Sequence, residues 1–179
     1  PYREMRGDGK EHYTTTNDWG QVYKTNEENP YIDAFWEWWP ELSKTLFELR
    51  VTGGEPLMSP QFWRLVDWFT QNEASRIRFA ANSNLGGSPE LIEKLIQKSH
   101  HIKTFDLYTS CESIGAQAEY IRDGLVYQNW KNNLINVIEN GKFRKTVIMM
   151  TVNALCLFGL TDFMDDMLEL KNKYGRDYP

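Results

Sequence analysis

Two hydrophobic patterns alternate along most of the chain. Short segments in which apolar and polar residues alternate are typical of a half-buried strand, and they are followed by longer segments with apolar residues every three or four positions, as in an amphipathic helix. The segments of the first kind predict four strands, at Phe47–Val51, Arg76–Ala81, Ile102–Tyr108 and Lys145–Val152. A strand, then a helix, repeated four times, predicts an α/β fold with a parallel sheet and right-handed crossovers.

The helical segments carry recognisable start and stop signals. Asn29 and Pro30 start the first predicted helix, and Ser59, Ser88 and Thr161 are predicted N-caps of later ones. The first helix has an apolar stripe that we interpret as core: Tyr31, Ala34, Phe35, Trp38, Trp39 and Leu42. The apolar positions of the later helices are Phe62, Leu65, Val66 and Phe69, then Leu91, Ile92, Leu95 and Ile96, then Val126, Trp130, Leu134 and Val137, and last Phe163, Met164, Met167 and Leu168.

Residues 1–30 differ from the rest, because they are mostly polar and show neither period. We predict an irregular loop there, and one domain over residues 31–179. His12, alone in this loop, is assigned no role. The chain of 179 residues has a net charge of −5 and no basic cluster, which argues against nucleic acid as a partner. It has no apolar run of membrane-spanning length and no signal-peptide pattern, so a cytoplasmic protein without a membrane partner is the expectation.

Small polar residues gather just after the predicted strands. They are Thr52 and Glu55, Asn82 and Asn84, Ser110 and Glu112, and Thr151 and Asn153. Helix capping explains them less well, because the predicted caps lie farther along the chain. Since the carboxyl ends of parallel strands meet at one edge, we interpret these residues as parts of one polar site.

The sharpest motif is the segment Thr52–Pro56, which reads TGGEP directly after the first strand. Gly53 and Gly54 allow a tight turn that leaves carbonyl groups uncovered, and Pro56 stiffens the exit. A carboxylate from Glu55 beside bare carbonyls suits an ammonium group. The alternative is a surface turn with a solvated glutamate, since short motifs also match by chance.

The stretch TGGEPLM after an apolar strand resembles the GGEP motif of the radical S-adenosylmethionine (radical SAM) enzymes. That resemblance implies a partial (β/α)6 TIM-like barrel in which the predicted strands are the second to the fifth. It implies that the Thr52–Pro56 loop, through Glu55, binds the amino group of S-adenosylmethionine. The segment EYIRDG resembles a family segment whose arginine, here Arg122, pairs with the methionyl carboxylate. Ser110 and Glu112 would reach the ribose and carboxylate, with weaker matches at Asn82, Asn84 and Asn153.

The resemblance also implies a [4Fe-4S] cluster, which the chain does not provide for. The family's CxxxCxxC loop is missing, and Cys111 and Cys156 are too few to replace it; we expect Cys111 to be half-buried in a loop. We therefore expect an excerpt that lacks the first and sixth strands and the cluster loop, and that is inactive alone. The intact enzyme, an oxidoreductase or a transferase, would make a 5′-deoxyadenosyl radical and need an electron donor such as flavodoxin or ferredoxin. The pattern is closest to members with a SPASM or twitch domain, so a peptide is one candidate substrate.

Two other functions remain open. The first is a degenerate barrel without a cluster that serves as a binding or scaffold subunit. The second is an ordinary βα-barrel enzyme with Glu55 as general base, against which no His, Lys or metal-ligand partner is found at the same rim. For Arg122, a surface ion pair with Asp123 or Glu119 is the alternative to a role in binding.

Overall fold

The computed structural model describes residues 29–73 and 75–175. The predicted loop at residues 1–30, including His12, therefore lies almost wholly outside the described residues. The chain divides into two compact units, Pro1–Thr45 and Leu46–Pro179. Within the described residues, no helix combines the length and the apolar content that a membrane span requires.

The described part of the first unit is one helix, α1, Pro30–Thr45. The predicted start is confirmed, because the Asn29 side-chain oxygen accepts a hydrogen bond from the backbone N–H of Tyr31 at 3.0 Å. The predicted buried stripe is wrong in part: Trp39 is buried, but Tyr31 and Trp38 are largely exposed. The less exposed side of the helix includes Trp36, which the spacing placed outside the stripe. An almost continuous aromatic segment fits several helical stripes equally well, so its spacing could not select one.

The second unit is a mixed α/β arrangement around a four-stranded, all-parallel sheet, as the sequence predicted. The strands lie side by side in chain order. The elements, in order, are β1 (Glu48–Val51), α2 (Pro60–Gln71), β2 (Arg78–Asn82), α3 (Pro89–Ser99), β3 (Phe105–Ser110), α4 (Gly115–Ile121), α5 (Tyr127–Asn140), β4 (Lys145–Met149) and α6 (Leu160–Tyr174). Two short 3₁₀ turns precede α2 and α6, at Pro56–Met58 and Leu157–Gly159.

Several predicted boundaries are corrected. Strands β2 and β3 begin later than predicted, at Arg78 and Phe105, and β4 ends at Met149. The short helix α4 was not predicted, since its seven residues hold too few apolar positions to show a period. Thr161 is not an N-cap, because α6 already begins at Leu160 with Gly159 in the cap position.

The buried face of α6 also differs from the one that the pattern predicted. Met164 and Leu168 were predicted to lie in the core but are about half exposed, while Phe163, Met167 and Leu170 are buried. Both sets fit a helical period, and the neighbours of the helix decide which one is covered.

One face of the sheet packs against helices through aromatic rings. Phe79 of β2 stacks on Phe62 and Phe69 of α2, with ring centroids 6.1 and 4.5 Å away. The ring of Phe105 on β3 continues this row, 4.8 Å from Phe79. Side chains alternate along a strand, so the residues between these point to the opposite face. That opposite face carries Arg50, Asp106, Tyr108 and Lys145.

Candidate functional site

The Thr52–Pro56 loop lies at the carboxyl end of β1, as predicted. Gly53 and Gly54 both have positive φ angles, +90° and +54°, which residues with a side chain rarely adopt. A Cβ atom built on Gly53 would meet nothing within 4 Å, so the backbone there faces open space. Within the described chain, no backbone N–H donates to the carbonyl oxygens of Thr52, Gly53 or Gly54. The loop therefore offers exposed carbonyls beside Glu55.

Glu55 connects two loops through its carboxylate. Its Oε1 atom accepts hydrogen bonds from the backbone N–H of Leu57 at 3.1 Å and from the Ser83 hydroxyl at 2.7 Å. Its Oε2 atom accepts one from the backbone N–H of Asn84 at 2.7 Å. Each carboxylate oxygen can accept two hydrogen bonds, so one position on Oε2 remains for a further donor. The side chain is thus held in place while keeping some capacity to bind a cation.

The loop after β2 is arranged to meet this carboxylate. The Ser83 hydroxyl, buried, also accepts the backbone N–H of Leu85 at 3.0 Å, and Leu85 itself has a positive φ of 52°. The Asn84 side chain caps the backbone N–H of Gly86 at 2.7 Å, so Asn84 contacts Glu55 through its backbone only. Asn82 ends β2 next to Tyr108 of β3 and is half-buried.

Ser83 is the residue that the sequence analysis missed. It lies between two asparagines that were noted, and its small side chain gave no chemical signal of its own. Strand alternation puts Ser83 on the same side as Phe79 and Ala81, which are buried. A buried hydroxyl needs a hydrogen-bond partner, and this need was the available signal.

A second polar group follows β3. Glu112 is only 4% exposed and accepts two hydrogen bonds from the guanidinium of Arg122, which is 32% exposed. The bond from Nε measures 2.6 Å, and the other comes from Nη2. The hydrogen bonds to Glu112 raise the pKa of Arg122 above its usual value, so the guanidinium is always charged. The observed partner is therefore neither of the two proposed in the surface-pair alternative, and Glu119 instead accepts the backbone N–H of Tyr127 at 2.9 Å.

Two more residues lie at the carboxyl end of β3. Ser110 is the last residue of β3 and is half-buried. Cys111 is fully buried rather than half-buried, and its thiol donates to the backbone carbonyl of Ser113 at 3.3 Å. Burial raises the pKa of this thiol to about 11, so it is a weak nucleophile at neutral pH.

Asn153 belongs to its own turn. Its side-chain amide donates to the Thr151 carbonyl at 3.1 Å, and its side-chain oxygen accepts the backbone N–H of Leu155 at 2.9 Å. Both bonds lie within the loop after β4, so they explain this asparagine without a ligand.

The structure therefore sorts the predicted site residues into three groups. The first joins the Thr52–Pro56 loop to Ser83 and Asn84, and it reaches β3 because the Ser83 N–H donates to the Tyr108 carbonyl at 2.9 Å. The second is the pair of Glu112 and Arg122 beyond Ser110. The third, Asn153, is a separate turn. Parallel register places the ends of β1, β2 and β3 at one edge of the sheet, which brings the first two groups to the same side.

The donor atoms needed by an iron–sulfur cluster are not available in this sequence. It contains two cysteines, fewer than the three thiolates of the family motif, and both are buried. Among residues 29–73 and 75–175, no group of three or more His, Cys, Asp or Glu side chains could hold a metal ion. The residues present therefore do not fit the cluster.

Comparisons with known proteins found no relative of this chain. No family model, no curated protein and no solved structure matches this chain.

Proposed function

We propose that this chain is the S-adenosylmethionine-binding core of a radical SAM enzyme. The observation that carries the proposal is the Thr52–Pro56 loop, a TGGEP sequence at the carboxyl end of a parallel strand, with exposed carbonyls beside a fixed carboxylate. Ligands of parallel α/β sheets bind at that end of the strands.

The strand order supports a partial barrel. In a doubly wound sheet the strand order reverses at a switch point, whereas in a (β/α) barrel each strand lies beside the next one in sequence. The order β1-β2-β3-β4 is of the second kind. In the proposed (β/α)6 barrel these four strands would be the second to the fifth.

Different site residues would bind the ammonium, the carboxylate and the ribose of the cofactor. The free position on Glu55, together with the carbonyls of Gly53 and Gly54, would bind the ammonium of the methionyl group. Arg122 uses Nε and Nη2 on Glu112, which leaves Nη1 for the methionyl carboxylate. Ser110 and Asn82 supply a hydroxyl and an amide at the same edge for the ribose. The cofactor would supply the radical chemistry only with one electron from a donor outside this chain, and the chain's own residues would bind and orient it.

Glu112 has a different role from the one that the resemblance implied. Its carboxylate is buried and occupied by Arg122, so in this proposal it orients the guanidinium instead of contacting the ribose. This chain's own residues hold and orient the cofactor, and no step is assigned to the cluster, for which the ligands are not present.

One alternative keeps specific support. With two cysteines, too few for a cluster, the sequence is also compatible with a barrel that binds an adenosyl ligand or a partner without redox chemistry. The other alternative, Glu55 as general base, is disfavoured because three donors already occupy most of the acceptor positions of its carboxylate.

The proposal is tested by calorimetric titration of the full chain with S-adenosylmethionine. We expect Glu55→Gln to weaken binding by about tenfold or more, because it removes the charge that faces the ammonium. Glu93→Gln is the matched control, since Glu93 is an exposed glutamate on α3. Wild-type affinity in Glu55→Gln, or no binding by the wild-type chain at millimolar ligand, contradicts the proposal.

A second ligand separates a direct contact from a loop effect. Methylthioadenosine lacks the amino and carboxylate groups, so Glu55→Gln should leave its affinity unchanged. Equal losses for both ligands would mean that Glu55 acts only by holding its loop.

A further inference from the structure

The sheet face opposite the Phe79 stack carries an unusual row of charge. The register aligns Arg50 of β1, Ala80 of β2, Asp106 of β3 and Lys145 of β4 in one row across the sheet. The alternation in β1 predicts that its polar residues form the solvent side of a half-buried strand. All four strands instead contribute charged side chains to one face, since Arg78 of β2 lies there too. Asp106 and Lys145 lie near the amino ends of β3 and β4, while Ser110 ends β3 at the carboxyl edge.

Two cations of this row lie close to one aromatic ring. The Arg50 guanidinium carbon lies 4.5 Å from the centroid of the Tyr108 ring, and Arg50 Nη2 donates to the Tyr108 hydroxyl at 3.3 Å. The Lys145 ammonium lies 5.1 Å from the same centroid. Each contact is favourable by itself, but the two like charges near one ring repel each other.

The acidic residues nearby do not balance these cations. Glu48 accepts from Arg50 at 3.2 Å and from Arg78 at 3.0 Å. Asp106, only 1% exposed, is held by two hydrogen bonds from Arg144, and Lys145 lies 3.9 Å away, beyond hydrogen-bond distance. Four cations thus share two carboxylates in a chain whose net charge is −5.

The two cations beside Tyr108 remain accessible. The Arg50 and Lys145 side chains are 43% and 35% exposed, while Tyr108 is nearly buried. Arg50 uses only Nη2 in the hydrogen bonds above, so the rest of its fork is free for a planar oxyanion.

We propose that this sheet face binds an oxyanion, a carboxylate or a phosphate, on a small-molecule ligand, with Arg50 and Lys145 as its two charged contacts. This inference rests on the proposed function, for which it defines the substrate class: an anionic molecule that extends along the sheet from this row, near the amino ends of β3 and β4, to Ser110 at the carboxyl edge. The anion would relieve the repulsion between the two cations.

The test is an NMR titration of the full chain with inorganic phosphate and, separately, with succinate, at constant ionic strength. We expect one saturable site whose largest amide shifts fall in β1 and β4. Arg50→Gln and Lys145→Gln should each raise the dissociation constant by about tenfold. Lys94→Gln is the matched control, because the Lys94 ammonium also lies over a ring, 4.1 Å from the Trp63 centroid, but in a helical part of the unit.

The two anions distinguish the ligand classes. Tighter binding of phosphate indicates a phosphorylated ligand, and tighter binding of succinate indicates a carboxylate. Shifts that stay linear for both anions, or an equal loss in Lys94→Gln, overturn the inference. Either glutamine variant is sufficient if the other does not give a folded spectrum.

The result of this experiment does not depend on whether the chain binds the cofactor. Anion binding is measured without S-adenosylmethionine, and neither Arg50 nor Lys145 is assigned to the cofactor. If phosphate and succinate do not bind while Glu55→Gln still weakens the cofactor, only the substrate inference falls.

Discussion

Replacing Arg122 by glutamine tests the pair that the structure places beyond β3. The change removes the guanidinium that donates two hydrogen bonds to Glu112 and leaves a carboxylate that is 4% exposed. An unpaired buried carboxylate is costly because neither water nor a donor stabilises its charge.

The size of the loss follows from the exposure of the two partners. Removing one member of a fully buried ion pair costs about 3–5 kcal/mol. Arg122 is 32% exposed, so water would reach Glu112 through the space it leaves, and we lower the expected loss in unfolding free energy to about 2–3 kcal/mol. For a chain of this size, each 1 kcal/mol shifts the melting temperature by about 2–4 °C.

Urea unfolding followed by circular dichroism measures this loss in a double-mutant cycle. The double variant Glu112→Leu with Arg122→Gln should be less destabilised than the sum of the losses in Glu112→Leu and Arg122→Gln, because no charge is left unpaired. Arg76→Gln, at an exposed arginine outside this pair, is the control and should change stability by less than about 0.5 kcal/mol. A similarly small loss in Arg122→Gln, or strictly additive changes, refutes the assignment of a buried pair.

Three further residues, Cys111, Tyr127 and Ser83, give predictions that rest on their burial or on one hydrogen bond. Iodoacetamide should modify Cys111 slowly in the folded chain below pH 9 and rapidly in urea, as read by peptide mass spectrometry. Because burial raises its thiol pKa from 9.0 to about 11, stability should fall as pH rises across that window, and less so in Cys111→Ala. Tyr127→Phe should lower the unfolding free energy by about 1–2 kcal/mol, since it removes the 2.8 Å hydrogen bond to Asp166; an unchanged urea midpoint would contradict this. Ser83→Ala should weaken S-adenosylmethionine binding, because it removes a hydrogen bond that positions Glu55. Equal affinity in the variant would show that this hydrogen bond is not needed for binding.

Local signals in the sequence predicted most of the secondary structure. The side chain of Ser59 accepts the backbone N–H of Phe62 at 3.4 Å, as a predicted N-cap should. Gly141 and Gly175 directly follow α5 and α6, in the position that glycine favours after the end of a helix. These signals work because a cap or a stop depends on residues within one helical turn.

Strand ends were predicted less well for a physical reason. Strand β3 is buried along almost its full length, so apolar alternation gives no contrast at its borders. Its end is set by pairing with β2 and β4, which are distant in sequence. The same limit applies to α1, where adjacent aromatic residues offered more than one buried stripe.

The sequence by itself determined that four strands alternate with helices, and that Glu55 follows the first strand in a glycine turn. Only the tertiary structure decided which groups meet these side chains: Ser83 and Asn84 at Glu55, Glu112 at Arg122, and Tyr108 near both Arg50 and Lys145. A periodic pattern depends on residues that are close together along the chain, whereas these charged side chains contact residues on other strands and loops. The register of a parallel sheet fixes those partners, and no spacing along the chain encodes it.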